Sequence, residues 1–235
     1  MAINKQSNLY TVIYIVVMVL VVGVSLAGVS LALAPKQKAN ADADKMKQIL
    51  AAVHITPEAG QIITEFDKIV TSQAVYNSQG QQTGDDAFGV DVKQQIDLPD
   101  DRRQLPVYTC RMPDGSTKYV LPVYGAGLWG PIWGYVAVDA DGSTIYGAYF
   151  AHQGETPGLG AEIEKPHFSD QFDGKQLIKH GEFLPVEVVK NGMKPQGEAD
   201  YVDGVSGGTI TSRGVSDMLA NCLTPYRAFL KNLTK

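Results

Sequence analysis

An uninterrupted apolar segment near the N-terminus dominates the hydropathy pattern. Residues 10–33 contain no charged side chain, and the nearest charges are Lys5 and Lys36. As a helix, a segment of this length measures about 36 Å, which is enough to cross a bilayer. We therefore expect a transmembrane helix at residues 9–34, preceded by a short N-terminal segment at residues 1–8.

A cleaved signal peptide is the alternative interpretation, because Ala32-Leu33-Ala34 resembles a cleavage site. The apolar region of a signal peptide is only about 7–15 residues long, so the observed length favours a retained anchor. Small residues spaced four apart, at Gly23/Ala27 and Gly28/Ala32, would let a partner helix pack closely.

Basic residues beside the segment also predict its orientation. Lys5 precedes it, whereas lysines at positions 36, 38, 45 and 47 follow it. By the positive-inside rule, this count favours a cytoplasmic location for the C-terminal part.

Beyond the anchor, helical patterns give way to strand patterns. Apolar residues recur at helical spacing over residues 40–52 and 56–70, and Thr56-Pro57 has the chemistry of a helix start. Residues 79–86 are predicted to form a polar loop. Turn sequences at residues 113–115 and 141–142 predict two hairpins. The predicted strands are residues 107–110, 117–123, 135–138, 144–150 and 183–189.

The last apolar pattern predicts a helix that begins near Thr211 or Ser212, with one of these hydroxyls as its cap. Its apolar face comprises Val215, Met218, Leu219, Cys222 and Leu223. Thr224-Pro225 interrupts the pattern, so we expect two helices, or one kinked helix, at the C-terminus. Strands and helices do not alternate, which predicts an α+β class with antiparallel strands in a single soluble domain.

Within that domain, we expect residues 35–100 to be a helical and loop connecting part. Residues 101–235 would then form the core with the C-terminal helices. The roughly 200 residues beyond the anchor are enough for one sizeable core.

The net charge is −5 without a basic run, so no nucleic-acid binding is expected. The spacing of Cys110 and Cys222 matches no metal-binding motif. The sequence is compatible both with two buried free thiols and with a disulfide between them.

A glycine-rich turn with several hydroxyls, residues 203–212, precedes the last helix. The simplest interpretation is an ordinary capped helix, but free backbone donors and the helix dipole also suit a phosphate. Arg213, in the first turn, is well placed for an anion. A nucleotide P-loop is disfavoured because no Lys follows the glycines. A hydrolase elbow is disfavoured because the last histidine, His180, precedes the motif.

Residues 203–209, Asp-Gly-Val-Ser-Gly-Gly-Thr, resemble the flavinylation motif D-G-x-[ST]-G-A-T. That motif belongs to the FMN-binding subunits of the Na+-translocating NADH:quinone reductase and of the related Rnf complex. In this family the final threonine carries FMN through a phosphoester bond, which implies covalent FMN on Thr209. The departure is Gly208, where the family usually has alanine; glycine only removes a methyl group and loosens the backbone.

Two further segments support the resemblance. Residues 125–135, which contain Gly-Leu-Trp-Gly, resemble the G-x-G-L-W segment of the FMN-binding C subunit of the reductase. Residues 152–163 resemble its H-x-G-E-T-P-G-L-G-A-E-I segment. The likeness extends over essentially the whole chain, and the Leu-Trp pair favours the reductase over the Rnf counterpart.

The resemblance also implies a set of site residues. Leu128 and Trp129 would form one wall against the flavin, and Thr156 and Leu159 the other. The other residues expected to contact FMN are Gly160, Ser206, Gly207, Gly208, Thr211 and Arg213. A separate flavin transferase would recognise Asp203, Gly204 and Ser206. We expect no catalytic residue and no metal ligand, and we interpret His152 and Glu155 as loop-fixing hydrogen-bond partners.

The implied function is a single-pass flavoprotein subunit that relays electrons within a Na+-translocating NADH:ubiquinone oxidoreductase of the bacterial inner membrane. Its partners would be the other membrane subunits and, during maturation, the flavin transferase. The family places the soluble domain in the periplasm, in conflict with the lysine count. The alternatives are a subunit of an Rnf-type ferredoxin:NAD oxidoreductase and a non-catalytic anchored module that binds a phosphorylated ligand.

Overall fold

A computed structural model describes residues 8–58 and 60–233 of the 235-residue chain. The chain divides into two compact units, Met1–Lys45 and Met46–Lys235. Residues 1–7 of the N-terminal segment predicted at residues 1–8 lie outside the described residues. The second unit is the α+β domain with antiparallel strands that the sequence predicts.

The first helix, α1, spans Asn8–Ala51 without interruption. The two helices predicted at residues 9–34 and 40–52 are therefore parts of one helix that passes through Pro35. A proline removes a single backbone hydrogen bond, and the turns on either side retain theirs. Among the described residues, α1 is the one helix long and apolar enough to cross a membrane, and its large apolar side chains between Leu9 and Leu33 are exposed.

The second helix, α2, spans Ile62–Ile69 and begins after Gln61, so the predicted start at Thr56-Pro57 is wrong. After α1, the amide of Ile55 still bonds to the carbonyl of Leu50, and His54 has a left-handed φ of 59°. The chain is thus completing the turn that closes α1 when it reaches Thr56. The local hydrogen bonds that close α1 thus occupy the stretch where the capping chemistry predicted a new helix.

A six-stranded antiparallel sheet forms the centre of the second unit. Its strands, in chain order, are β1 (Val70–Tyr76), β2 (Gln82–Gly84), β3 (Leu105–Arg111), β4 (Thr117–Ala126), β5 (Pro131–Asp139) and β6 (Ile145–His152). The spatial order is β2-β1-β3-β4-β5-β6, and the two predicted hairpins, β3-β4 and β5-β6, are confirmed. The predicted polar loop at residues 79–86 contains the edge strand β2, whose exposed residues carry no apolar signal.

The remaining strands and helices surround the sheet. They are α3 (Val92–Gln95), α4 (Pro166–Ser169), β7 (Ile178–Lys179), β8 (Glu182–Phe183), β9 (Glu187–Val189), β10 (Tyr201–Asp203), α5 (Thr209–Leu223) and α6 (Arg227–Leu233). The strand predicted at residues 183–189 is in fact the end of β8 and, after a break, β9. The predicted break at Thr224-Pro225 is confirmed, because a 3-10 turn there separates α5 from α6.

Both faces of the sheet are buried. Along β5, Val136 and Val138 contribute to a core with α5, whereas Tyr135 and Ala137 contribute to a core with α2 and the end of α1. This alternation follows from the two-residue period of a strand. Each fully buried large apolar side chain adds about 1.5–3 kcal/mol to the free energy of unfolding. Functional groups must therefore lie at the strand ends, in the connecting loops.

The two cysteines lie on opposite faces of this sheet, and both are free thiols. The Cys222 thiol on α5 donates to the carbonyl of Tyr124 on β4, whereas Cys110 on β3 faces the other core. A disulfide between them, which the sequence left open, is thus absent. Burial raises the pKa of Cys110 to about 12 and that of Cys222 to about 11.

We predict that neither thiol of the native protein reacts appreciably with an alkylating reagent at pH 8. Only the thiolate is nucleophilic, and a raised pKa lowers the thiolate fraction at that pH. Mass spectrometry should show both cysteines alkylated in denaturant without prior reduction, with N-acetylcysteine as the exposed reference thiol. Rapid labelling of either cysteine in the folded chain would contradict the burial of these thiols.

Candidate functional site

Three loops meet at one end of the sheet. The first joins β4 to β5, where the amide of Gly127 bonds to the carbonyl of Gly130 at 2.8 Å and closes a tight turn. Leu128 and Trp129 form the tip of this turn, and their residues are 47% and 68% exposed. Large apolar side chains left this exposed indicate a surface that another group covers.

The second loop follows β6 and ends in a 3-10 helix at Gly160–Glu164. The amides of Leu159 and Ala161 both donate to the carbonyl of Thr156, at 3.1 and 3.2 Å, which folds the loop back on itself. Gly158 has a left-handed φ of 74°, a conformation that glycine adopts without strain. Leu159 remains 42% exposed at the end of this loop.

The third loop, residues 203–208, is held at both ends. The side chain of Gln171 accepts from the amide of Asp203 at 2.9 Å and donates to its carbonyl at 3.2 Å. At the other end, the amide of Val205 donates to the hydroxyl of Ser212 at 2.9 Å. The loop is thus fixed from a preceding turn and from the following helix.

Helix α5 begins at Thr209 with Gly208 as its cap, so the start predicted at Thr211 or Ser212 is two to three residues late. Thr211 and Ser212 are buried inside the helix, and their hydroxyls bond to other loops instead of capping. The early start is possible because Gly208 lies against Gly160: a Cβ at position 208 would be 3.2 Å from the backbone of Gly160. Close backbone approach, not a side-chain cap, sets the boundary.

A buried carboxylate joins the three loops. One oxygen of Glu155, Oε1, accepts from the amide of Trp129 at 2.8 Å, and Oε2 accepts from the hydroxyl of Thr211. The amide of Glu155 itself donates to Nδ1 of His152 at 3.2 Å. The loop-fixing hydrogen bonds expected for His152 and Glu155 are therefore present.

Thr209 is exposed and lines two cavities, one on each side of it. The first measures about 210 Å³. Its lining residues are Leu128, Glu155, Thr156, Leu159, Gly160, Gly207, Gly208, Thr209, Ile210 and Thr211. The second measures about 270 Å³. Its lining residues are Val188, Val189, Lys190, Asn191, Gly204, Val205, Ser206, Gly207, Thr209, Ser212 and Arg213.

These two linings contain all the sequence-predicted site residues except Trp129 and Asp203. The Trp129 residue is exposed beside Leu128, and Asp203 lines a third, more open cavity of about 630 Å³ with Gly204 and Ser206. The sequence did not indicate Lys190, Asn191 or Ile210 as site residues. Lys190 follows β9, before the 203–209 motif begins, and nothing in its surrounding sequence marks it as a site residue.

The electrostatics of the two cavities differ. The first contains three aliphatic side chains, three threonines and one carboxylate but no cation, whereas the second contains the exposed cations Lys190 and Arg213. We call them the apolar cavity and the cationic cavity. Arg213 lies 3.9 Å from Asp217 in a solvent-exposed pair, which leaves its charge largely available. The positive end of α5 adds to the cationic character beside Thr209. The arrangement can therefore hold an anion on one side of the hydroxyl and a flat apolar group on the other.

The class of this domain follows from its sequence: residues 127–224, which include all three loops, match the family model described as the FMN-binding domain. The C subunit of the Na(+)-translocating NADH-quinone reductase of Vibrio alginolyticus is 36% identical, over 77% of this chain and 76% of that protein. The same subunit of Vibrio anguillarum is 33% identical over 92% of this chain and 90% of its own. The chain therefore belongs to the family of the Na(+)-translocating NADH-quinone reductase C subunit, NqrC.

Solved structures support the same fold. The crystal structure of the C subunit of this reductase from Parabacteroides distasonis is 47% identical, with a TM-score of 0.79 over 84% of this chain and 96% of that chain. Shewanella oneidensis NqrC is 29% identical, with a TM-score of 0.68 over 83% of this chain and 98% of that chain.

Gly214 places α5 close to the end of β4. A Cβ at position 214 would overlap the carbonyl oxygen of Ala126 and lie 3.5 Å from Ile132. We predict that Gly214→Ala lowers the free energy of unfolding by about 1–3 kcal/mol, because the backbone must shift. Helix propensity alone predicts the opposite sign, since alanine is favoured by about 1 kcal/mol inside a helix.

Urea unfolding of the full chain in detergent, followed by tryptophan fluorescence, would measure this difference. Gly197→Ala is the matched control, because a Cβ there meets no atom within 4 Å. A Gly214→Ala protein as stable as the wild type would show that α5 does not depend on this approach.

Proposed function

We propose that this chain carries FMN attached covalently to Thr209 and serves as an electron-relaying subunit of a Na+-translocating NADH:quinone reductase. One observation carries the proposal: the exposed Thr209 hydroxyl lies at the first residue of α5, between an apolar cavity and a cationic cavity. A flavin mononucleotide needs these two environments, one for its ring system and one for its phosphate.

The apolar cavity suits the ring. Leu128 on the first loop and Leu159 on the second provide apolar surface, and Thr156 adds a hydroxyl that can reach the ring carbonyls. Trp129, exposed beside Leu128, would extend that wall. FMN bound there would supply one- and two-electron transfer, while these residues hold and orient it.

The cationic cavity suits the phosphate. Lys190 and Arg213 supply positive charge, and Ser206 supplies a hydroxyl donor. The first turn of α5 adds backbone amides that no helix pairs internally. Gly207, which is exposed two residues before the attachment point, lines both cavities and adds no side chain to either.

Attachment requires a second enzyme. A threonine hydroxyl is a weak nucleophile without a base, and Glu155, the carboxylate in the same cavity, already accepts from Trp129 and Thr211. A flavin transferase would use FAD and Mg²⁺: the Thr209 Oγ–phosphorus bond forms, the bond to AMP breaks, and the hydroxyl proton is released. Three residues of the motif line the more open third cavity, where the transferase would bind them: Asp203, Gly204 and Ser206.

The exposed apolar side chains of α1 support a retained membrane anchor, and the family supports a place among the other membrane subunits of the reductase. We place the anchor in the bacterial inner membrane and the second unit in the periplasm. The relatives named above are subunits of the NADH-quinone reductase, which favours this complex over the Rnf-type alternative.

We predict that co-expression with a flavin transferase adds the mass of one FMN less one water to the chain, and that Thr209→Val abolishes this gain. Valine keeps the shape of threonine but removes the acceptor hydroxyl. Intact-mass spectrometry and in-gel flavin fluorescence would measure the modification, and peptide mapping would locate it.

Thr156→Val is the matched control, since it removes another exposed hydroxyl of the same cavity and should leave the covalent link in place. A flavin retained by Thr209→Val would refute the assignment of the attachment site. A bound phosphorylated compound in an unmodified wild-type chain would instead favour the non-catalytic binding module.

The orientation has its own test. We predict that alkaline phosphatase fused to the C-terminus is active in a bacterial host, because this reporter folds only in the periplasm. A fluorescent-protein fusion that matures only in the cytoplasm should remain dark. The reverse result would show that the lysines at positions 36, 38, 45 and 47 decide the topology.

A further inference from the structure

Glu155 is an unusual residue for its position. It is only 4% exposed, although glutamate is rarely buried without a partner. Among the salt bridges of residues 8–58 and 60–233, none involves Glu155; the neighbouring His152 pairs with Glu164 at 3.4 Å. Burying a carboxylate is unfavourable unless its oxygens are hydrogen-bonded, so the two donors that it has must hold it in place.

Those two donors come from distant parts of the chain. The Trp129 amide precedes Glu155 by 26 residues, and the Thr211 hydroxyl follows it by 56. One belongs to the turn that carries the apolar wall, and the other to the first turn of α5, two residues after Thr209. A single side chain thus connects the wall of the cavity to the attachment point.

The surrounding glycines leave room for this carboxylate. A Cβ at Gly127 would lie 2.5 Å from Oε1 of Glu155, and a Cβ at Gly160 would lie 2.5 Å from Oε2. Neither glycine has a left-handed φ, so backbone conformation does not demand glycine at these positions. What demands glycine is space: for the Glu155 carboxylate at both positions, for Ile132 beside Gly127, and for the Thr211 hydroxyl beside Gly160.

We propose that Glu155 is the positioning residue of the flavin site: its carboxylate fixes the β4–β5 turn against the start of α5 and so presents the Thr209 hydroxyl beside the apolar wall. The inference deepens the proposed function and rests on flavin attachment at Thr209. Glu155 acts through the Trp129 amide and the Thr211 hydroxyl, and it transfers no proton or electron itself.

Two conservative variants distinguish the contribution of the length of the Glu155 side chain from that of its charge. Glu155→Gln keeps the length of the side chain: its oxygen can accept from Trp129, and its amide can donate to the Thr211 oxygen. Glu155→Asp keeps the charge but is shorter by one methylene, so it cannot reach both partners. Positioning predicts that Gln substitutes for Glu and Asp does not, whereas a purely electrostatic role predicts the reverse.

The first measurement uses the flavin-free full chain in detergent. Amide hydrogen exchange over residues 127–130 and 209–212 should be at least about tenfold faster in Glu155→Asp, and within about threefold of the wild type in Glu155→Gln. Glu182→Gln is the control, because it removes an exposed carboxylate of β8, outside the three loops, and should change neither segment. Faster exchange confined to these segments also shows that the variant remains folded elsewhere.

The second measurement is the initial rate of flavin incorporation by a transferase supplied with FAD and Mg²⁺. We expect about a tenfold loss for Glu155→Asp and a rate within about threefold of the wild type for Glu155→Gln. Wild-type exchange and incorporation in Glu155→Asp, or equal losses in both variants, would overturn the proposal. A wild-type chain that takes up no flavin would instead refute the assignment of Thr209, and the exchange data would still decide whether Glu155 fixes the two segments.

Discussion

Burial of the central sheet on both faces is the constraint on which the rest of the second unit depends. Because β4, β5 and β6 direct alternate side chains into two separate cores, no face of the sheet remains for a ligand. The polar groups of the site therefore lie at the strand ends, where backbone N–H and C=O groups need hydrogen-bond partners from loops. The turn after β4, the loop after β6 and the start of α5 meet there, and Glu155 joins them through hydrogen bonds to Trp129 and Thr211.

This meeting of loops explains why glycine is so frequent in the motifs. Gly127 and Gly160 leave space for one carboxylate, Gly208 lets α5 begin against the second loop, and Gly214 lets the same helix approach β4. Only Gly158 and Gly207 in these loops have left-handed φ angles. Most of the glycines are therefore needed for close packing of backbone and side chains, and the backbone turns need only a minority.

The sequence predicted what depends on local pattern: the anchor, both hairpins, the C-terminal break and the α+β class. It did not predict where α2 and α5 begin: the turn that closes α1 occupies the expected start of α2, and α5 begins where Gly208 packs against Gly160. The motifs indicated most residues around Thr209. Lys190 could not be found, because only the parallel pairing of β9 with β10 brings it to the site.

The site is shallow, and that fits a tethered carrier better than a tight binding pocket. Cavities of about 210 and 270 Å³ both lie below the usual range for small-molecule sites, about 300–1,000 Å³, and Leu128, Trp129 and Leu159 remain exposed. Non-covalent contacts of this extent would hold a flavin weakly. The covalent link that we propose at Thr209 would make the local concentration of the flavin independent of that affinity. Under this proposal, the exposed apolar side chains of Leu128, Trp129 and Leu159 would stay available to electron-transfer partners, which a deep pocket would prevent.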